Sequence, residues 1–241
     1  MSEHMALENL TVLDLTRVLA GPFCTMMLAD MGANVIKIEV PKGGDDTRSY
    51  PPFRAKNLNG ERESVYFANI NRNKKGITLN LKAPEGKEIF KELVKKADIV
   101  VENYRPGVMD KLGLGYDVLK EINPRIIYAA VSGFGCYGPY HLRPGYDILA
   151  QAMGGMMSIT GSKGGEPTRA GSALGDILGG LHVTIGILAA VNARTITGKG
   201  QRVDVSLMDS MIAATENTAL KYIETGNIPA PMGNRYAAVS P

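Results

Sequence analysis

The stretch that decides the fold is Leu10–Val40, LTVLDLTRVLAGPFCTMMLADMGANVIKIEV. Its two ends, Leu10–Thr16 and Ala33–Val40, are short apolar runs that predict β-strands. The segment between them contains Pro22, which is typical of a first helical turn, and Gly32, which is typical of a helix end, so it predicts a helix. A strand, a helix and a second strand at this spacing form a βαβ unit with parallel strands and a right-handed crossover.

The same alternation continues along the rest of the chain. Further strands are predicted at Ile77–Leu81, Ala97–Glu102, Arg125–Ser132 and Gln201–Ser206, and helices at Lys87–Lys96, across the apolar run Ile177–Val191 and at Leu207–Thr225. Strands that alternate with helices are typical of α/β proteins, and continuous apolar strands are typical of a sheet covered on both faces. The sequence therefore predicts an α/β fold with a doubly wound, mostly parallel, Rossmann-like sheet.

The domain organisation follows from where this alternation stops. One large domain is expected over residues 1–225, with residues 1–5 set apart as an added leader. Residues 226–241, GNIPAPMGNRYAAVSP, have no regular pattern and are expected to form a linker toward a smaller domain outside this sequence. The polar loop Pro41–Glu63 is longer than most connections, which predicts a functional or partner-facing segment.

Composition excludes several classes of protein. The 241 residues carry a formal net charge of only +3, and the basic residues are scattered, so no nucleic-acid partner is expected. The two cysteines, Cys24 and Cys136, are far apart and suggest neither a disulfide framework nor a metal site. The run Ile177–Val191 is shorter than a membrane span, and the start of the chain has no apolar signal region. We therefore expect a cytoplasmic protein with no membrane partner and no bound metal.

Two motifs deserve separate consideration. Gly133-Phe-Gly135-Cys-Tyr-Gly138 matches the dinucleotide fingerprint G-x-G-x-x-G, but Pro139 and Pro144 follow it closely, where a helix would be needed. Nicotinamide binding is therefore not favoured. Asp176 follows the small-residue turn Ala170–Ala173 and precedes the apolar run, so it lies at or just before a helix start. Most aspartates in that position are N-caps, and that is the ordinary alternative to a chemical role.

Several sequence blocks together resemble the family III CoA-transferases, the group of formyl-CoA transferase and carnitine CoA-transferase, whose relatives include α-methylacyl-CoA racemase. The blocks occur in the order found in that family: Val18–Pro22, Gly32–Glu39, Asn73–Lys75, Val101–Gly107 and Gly171–Asp176. The resemblance implies a longer chain that enters a smaller domain and returns, and two chains interlocked as a homodimer. It also implies a glycine-rich active-site loop beyond Pro241.

The resemblance also implies the roles of individual residues. Asp176 matches the family's nucleophile, which forms an aspartyl anhydride and then an aspartyl-CoA thioester, so that CoA moves from an acyl-CoA to a free carboxylic acid. CoA itself would be the substrate rather than a resident cofactor. The matching CoA-binding positions are Val18, Leu19, Ala20, Leu79, Asn80, Leu81, Lys82, Asn103, Tyr104, Arg105, Lys111, Arg143 and Tyr146. Val40 stands where the family often has a basic residue, so the resemblance leaves two alternatives: that phosphate contact is missing, or Lys42 replaces it.

Two alternatives stay open beside transfer. The racemase branch needs a base on each face of the substrate carbon, and its second base, a histidine, aligns with Tyr146. A tyrosine hydroxyl, with an ordinary pKa near 10, is a poor base at neutral pH, so transfer is favoured. The other alternative is a CoA-binding fragment without catalysis. The sequence does not specify the acyl donor or the acceptor acid.

Overall fold

The computed structural model describes residues 4–54, 60 and 62–235. Its main sheet has six parallel strands, with a two-stranded antiparallel hairpin apart from it. The main sheet comprises β1 (Thr11–Asp14), β2 (Asn34–Glu39), β5 (Lys75–Thr78), β6 (Ile99–Glu102), β7 (Ile127–Ser132) and β8 (Arg202–Ser206), and the hairpin comprises β3 (Phe53–Arg54) and β4 (Glu63–Ser64). The order across the main sheet is β5-β2-β1-β6-β7-β8, which is the strand order of the Rossmann fold. The predicted fold class is confirmed.

Helices cover both faces of this sheet. They are α1 (Ala20–Asp30), α2 (Val65–Ile70), α3 (Pro84–Val94), α4 (Val108–Lys111), α5 (Tyr116–Ile122), α6 (Asp147–Met153), α7 (Met156–Ile159), α8 (Leu174–Thr197), α9 (Leu207–Ala214) and α10 (Asn217–Thr225). A 3₁₀ turn at Asp46–Ser49 lies in the loop after β2. The βαβ unit predicted from Leu10–Val40 is present, with β1 paired in parallel to β2.

The central strands are buried on both sides because successive side chains point to opposite faces. On one face, Ile99 and Val101 join a core that includes Leu28 of α1 and Ile187 of α8. On the other face, Val100 joins a core that includes residues of α3 and α5. This two-sided burial explains why the strands are continuous apolar runs in the sequence.

The helix predicted over Leu207–Thr225 is wrong in one respect, because the structure breaks it into α9 and α10. The break falls at Glu216, whose φ of 42° and ψ of −122° lie outside the helical region. The apolar pattern does not reveal the break because both halves are amphipathic. Beyond α10, the described residues 226–235 contain no helix or strand, and Ile228 and Pro229 help to line a cavity of about 400 Å³ beside α10.

Other boundaries also differ from the sequence predictions. The strand expected at Ile77–Leu81 lies earlier, at Lys75–Thr78, because its register with β2 ends at Thr78 opposite Glu39. The helices α6 and α7 were not predicted. No helix follows the G-x-G-x-x-G stretch until Asp147, so the prediction that this stretch does not lead into a helix is confirmed. Residues 1–3, 55–59, 61 and 236–241, which include parts of the expected leader, loop and linker, lie outside the described residues.

The helix α8 is longer than the apolar run suggested, with 24 residues and a mean hydropathy of 1.8 over its most apolar window. By length and composition alone it is therefore sufficient to cross a membrane. In the fold it packs between α1, α9 and strands β7 and β8, with Val183 and Ile187 fully buried. Packing in the core accounts for part of this apolar composition, since 39% of that window is buried.

Candidate active site

The candidate site begins where the strand order reverses, between β1 and β6. At such a switch point the connections leave the sheet in opposite directions and open a crevice at the carboxyl ends of the strands. The connection after β1 and the connection after β6 meet there directly. The Asn103 side chain accepts a hydrogen bond from the Arg17 backbone N–H at 2.9 Å and donates one to the Arg17 carbonyl at 2.7 Å. The two predicted CoA-binding segments are therefore joined.

Two buried lysines support this edge of the sheet from below. The Lys37 ammonium lies 2.9 Å from the Asp45 carboxylate, and the Lys74 ammonium lies 3.1 Å from the Asp14 carboxylate. All four side chains are almost fully inaccessible to water. Burial alone would raise the pKa of Asp14, but Lys74 and Lys37 keep that pKa below its usual range. The edge is therefore built on two buried ion pairs.

Asp176 is the third residue of α8 and is not its N-cap, which is Ala173. Helices of a doubly wound sheet run antiparallel to the strands, so this first turn lies at the carboxyl edge. The turn before it is held by α6, because Asp147 accepts a hydrogen bond from the Gly175 backbone N–H at 2.8 Å. The buried Gln151 accepts another from the Ala170 N–H at 2.8 Å. The start of α8 is therefore fixed by two side chains of α6.

The Asp176 carboxylate itself has no bound partner. Among the residues that the structure describes, no donor or cation reaches it. Burial, with a smaller effect of the nearby Asp147 carboxylate, raises its pKa to about 7. It occupies the first turn of α8, where the helix dipole favours a negative charge. This group is largely removed from water, has no competing hydrogen bond from the described residues, and gains its charge as the pH rises through about 7.

Helix packing brings Asp176 close to the segment after β1. The Gly180 backbone lies against the Ala20 carbonyl, so closely that an added Cβ would be 2.7 Å from that oxygen. Asp176 precedes Gly180 by four residues and therefore lies on the same face of α8, one turn nearer the crevice. The predicted nucleophile and the predicted CoA-binding residues Leu19 and Ala20 are thus neighbours across α1 and α8.

The remaining predicted contacts surround the same edge with differing exposure. Leu79 to Lys82 follow β5 directly, and the Leu81 side chain is buried in the core, which leaves only its backbone for a ligand. Tyr104 is fixed by its backbone N–H, which donates to Glu102 at 2.7 Å. Burial raises the pKa of Glu102 to about 7. Lys111 and Arg143 are exposed cations, and Arg143 stacks on the Tyr140 ring at 4.3 Å.

Tyr146 is 70% exposed and forms the N-cap of α6. Its position directly before the buried Asp147 places it near the turn that leads to α8. Arg105 accepts a backbone hydrogen bond from Val108, which shapes the connection after β6. Lys42, the expected replacement for a basic residue at Val40, has a φ of 58° in the exposed loop after β2. No described residues converge as a metal-ligand cluster of three or more His, Cys, Asp or Glu.

Comparison with known proteins places this geometry in a family. The family model described as CoA-transferase family III matches residues 7–241. The chain belongs to CoA-transferase family III. A crystal structure of a CAIB/BAIF family protein from Brucella suis aligns over 99% of this chain and 63% of its own, with a TM-score of 0.93 and 44% identity.

Curated relatives of this family III chain carry transferase names. An acetyl-CoA:oxalate CoA-transferase of Acetobacter aceti is 47% identical over 97% of this chain, which spans 59% of the relative. A succinyl-CoA:glutarate CoA-transferase of Mus musculus is 48% identical over 90% of this chain, which spans 49% of the relative. The chain thus spans about half to three fifths of the length of these relatives.

Sequence reasoning missed three residues that shape the site of this family III chain. Asp147 holds the start of α8 just before Asp176 by accepting a hydrogen bond from the Gly175 N–H. Asp45 holds the segment after β1 by accepting a hydrogen bond from the Val18 N–H at 3.2 Å. The pKa of Tyr66 in α2 is raised to about 12, mainly by burial and next by the charge of the nearby Asp176 carboxylate. Tyr66 is also packed edge-on against Tyr50. These residues occupy polar loops or unpredicted helices, so only buried contacts reveal them.

Proposed function

We propose that this chain forms the CoA-binding and nucleophile-bearing part of an acyl-CoA:carboxylate CoA-transferase. The observation that carries the proposal is the Asp176 carboxylate, which is largely buried, accepts no hydrogen bond from the part of the chain that the structure describes, and lies near the Leu19–Ala20 segment. The transferase names of the family III relatives support the reaction class. The substrates would be an acyl-CoA and a small carboxylic acid.

In the proposed reaction, an Asp176 oxygen attacks the thioester carbonyl carbon of the acyl-CoA. The carbon–sulfur bond breaks, CoA leaves as a thiolate, and Asp176 becomes part of a mixed anhydride. The thiolate then attacks the aspartyl carbonyl, which releases the first acid and forms an aspartyl-CoA thioester. The acceptor carboxylate attacks the carbonyl carbon of this thioester, which expels the CoA thiolate and forms a second mixed anhydride. The thiolate then attacks the acceptor's acyl carbonyl, which forms the new acyl-CoA and releases the Asp176 carboxylate. Each step exchanges acyl groups of similar activation, so the overall exchange needs no ATP.

The environment of Asp176 suits this chemistry. A carboxylate bound by several donors would be stabilised as a leaving group and weakened as a nucleophile, whereas this one has no donor among the described residues. Its charge is favoured by the first turn of α8. The glycine-rich loop expected outside this sequence would supply donors for the oxygen that develops negative charge during attack.

The proposed CoA position follows the crevice between β1 and β6. Val18–Ala20 and Asn103–Arg105 line it at the centre, and Leu79–Lys82 lie toward the β5 edge for the adenine. Arg105, Lys111 and Arg143 provide cations for the phosphates. A crystal structure with CoA tests this placement, and an adenine remote from Leu79–Lys82 would contradict it.

The experiment that tests the mechanism traps the intermediate. The protein, extended to the length of its relatives, is incubated with each of a panel of acyl-CoAs without an acceptor acid. Hydroxylamine should then leave a hydroxamate on the peptide that contains Asp176, detected by mass spectrometry. New CoA thioesters after adding free acids would identify the acceptor. Exchange of the substrate α-proton with deuterium, without any transfer or adduct, would instead favour the racemase alternative.

The proposal includes an interlocked homodimer for the full-length protein. Leu220 and Ile223 of α10 are 60% and 69% exposed, respectively, which is unusual for apolar residues on one amphipathic helix. A second chain that covers this face would remove them from water. Light scattering of the full-length protein should give a dimer mass, and a stable active monomer would contradict this part of the proposal.

A further inference from the structure

Val18 has a backbone conformation that a valine rarely adopts. Its φ is 68°, in the left-handed region, where a β-branched side chain clashes with the backbone. Such strain persists only where surrounding contacts hold it, and it is concentrated at functional segments. Val18 lies directly before Leu19, the N-cap of α1, so its conformation sets the direction in which the chain approaches that helix.

Two side chains from different connections hold the backbone at this point. Asp45, from the loop after β2, accepts a hydrogen bond from the Val18 N–H at 3.2 Å. Asn103, from the connection after β6, forms both of its hydrogen bonds with the backbone of the preceding residue, Arg17. The strained residue is therefore held between the connection after β2 and the connection after β6.

Asp45 is a buried carboxylate with a fixed charge. Burial alone would raise its pKa, but the Lys37 ammonium and the Thr47 backbone N–H lower it below the usual range. The same Asp45 oxygen that meets Val18 also accepts from the Thr47 N–H at 3.0 Å, and the second oxygen meets Lys37 at 2.9 Å. Lys37 in turn donates to the Thr16 carbonyl at 2.8 Å. Both ends of this ion pair therefore contact the segment that contains Val18.

We propose that Asp45, paired with Lys37, is a positioning residue for CoA binding that keeps Val18 in the left-handed conformation. The inference rests on the proposed function, since it concerns the segment that would contact CoA. Without the Asp45 carboxylate, Val18 relaxes to a negative φ, and Leu19 and Ala20 leave the position in which they border the crevice. Asp45 does not touch the ligand and acts only through the Val18 backbone.

The test uses glycine as a rescue, because glycine adopts a positive φ without a steric cost. Four proteins are compared by calorimetric titration with CoA: wild type, Val18→Gly, Asp45→Ala with Lys37→Met, and the combination of all three substitutions. Lys37→Met prevents an unpaired ammonium from remaining in the interior. If the Asp45→Ala protein does not fold, Asp45→Val, which fills more of the space but has no acceptor for the Val18 N–H, replaces it in the same comparison.

The matched control is the second buried ion pair at this edge. Asp14→Ala with Lys74→Met removes a pair of equal burial that has no hydrogen bond to Val18. Val18→Gly is added to this protein as well. Melting temperatures of all variants separate a general loss of stability from a loss of CoA affinity.

We expect the Asp45→Ala, Lys37→Met protein to bind CoA at least tenfold more weakly than wild type, and the same two substitutions to change CoA affinity by less than about threefold when Val18→Gly is already present. Adding Val18→Gly should restore the affinity to that of Val18→Gly alone, although the melting temperature stays low. It should restore nothing in the control protein. No restoration, or wild-type affinity without Asp45, overturns the inference. A wild type that does not bind CoA overturns the proposed function together with this inference.

Discussion

Replacing Asp176 with Asn distinguishes a nucleophilic role of this residue from a purely structural one. The structure predicts that the substitution lowers activity and raises stability. The amide has nearly the size of the carboxyl group but carries no charge and does not attack a thioester. We expect Asp176→Asn to abolish transfer in the full-length enzyme. We also expect the variant to be more stable than wild type at pH 8, because the charged carboxylate is unfavourable where it lies.

The magnitude follows from the pKa of Asp176. In the folded protein this pKa is raised from 3.8 to about 7. A difference of about three pH units corresponds to about 4 kcal/mol of destabilisation once the group is ionised in both states. Part of this is offset because the carboxyl keeps some contact with water and lies in the first turn of α8, so we expect about 2 kcal/mol.

The pH dependence has a defined sign. Because the folded pKa lies above the unfolded one, the wild type is stabilised by this group below about pH 4 and loses that stability as the pH rises to about 7. The advantage of Asp176→Asn should therefore grow between pH 4 and pH 7 and stay constant above. Urea denaturation of both proteins at pH 5 and pH 8 measures it. A variant that is less stable at pH 8 and still active would refute the reasoning.

Three further predictions follow from individual contacts. Asp147→Asn removes a negative neighbour of Asp176 but keeps an acceptor for the Gly175 N–H. In the wild type we expect transfer activity to be lost on acidification with a midpoint near pH 7. In the variant, a pH–rate profile should show this midpoint at lower pH. Gly180→Val introduces a side chain against the Ala20 carbonyl and should cost about 1–3 kcal/mol or more in urea denaturation, whereas unchanged stability would mean that α1 and α8 are not in close contact. Phe90→Ala should cost about 3–5 kcal/mol because the ring is fully buried, while the adjacent and exposed Ile89→Ala serves as the control and should cost far less.

The sequence predicts most of the sheet because its signal is strong and local. The strands β1, β6 and β7 are buried on both faces, so their residues form short apolar runs rich in β-branched residues, and this length and composition favour a strand over a buried helix segment. The helix α1 has a proline in its first turn and a glycine just after its end, and the backbone conformations of these two residue types favour those positions. Boundaries were less certain where pairing rather than composition decides them. The strand β5 ends at Thr78 because β2 ends opposite it, and nothing in its own residues marks that point.

The site was predictable only in part because its geometry depends on contacts between distant segments. Asp176 could be singled out from the small-residue turn before it, and the family resemblance gave it a role. Asp147, 29 residues earlier, is an ordinary acidic residue in the sequence and gains its importance from the hydrogen bond to Gly175. Likewise, Asp45 lies in a polar loop with several charges, and only the buried contact with Lys37 distinguishes it from Asp46 beside it. Tyr66 gave no signal in the sequence at all.

The glycines of α8 determine where motion can occur during the proposed cycle. Gly179 lies against Leu207, Gly180 against the Ala20 carbonyl, and Gly186 against Val203, so three neighbours contact the helix backbone at once. A shift of one turn, about 5.4 Å, would bring Val183 and Thr184 opposite Leu207 and Ala20. The space at these two positions is too small for any side chain larger than that of glycine. The helix therefore has a single axial position. In the proposed cycle, the acyl group, the CoA sulfur and the acceptor acid would each travel to a carboxylate that stays in place.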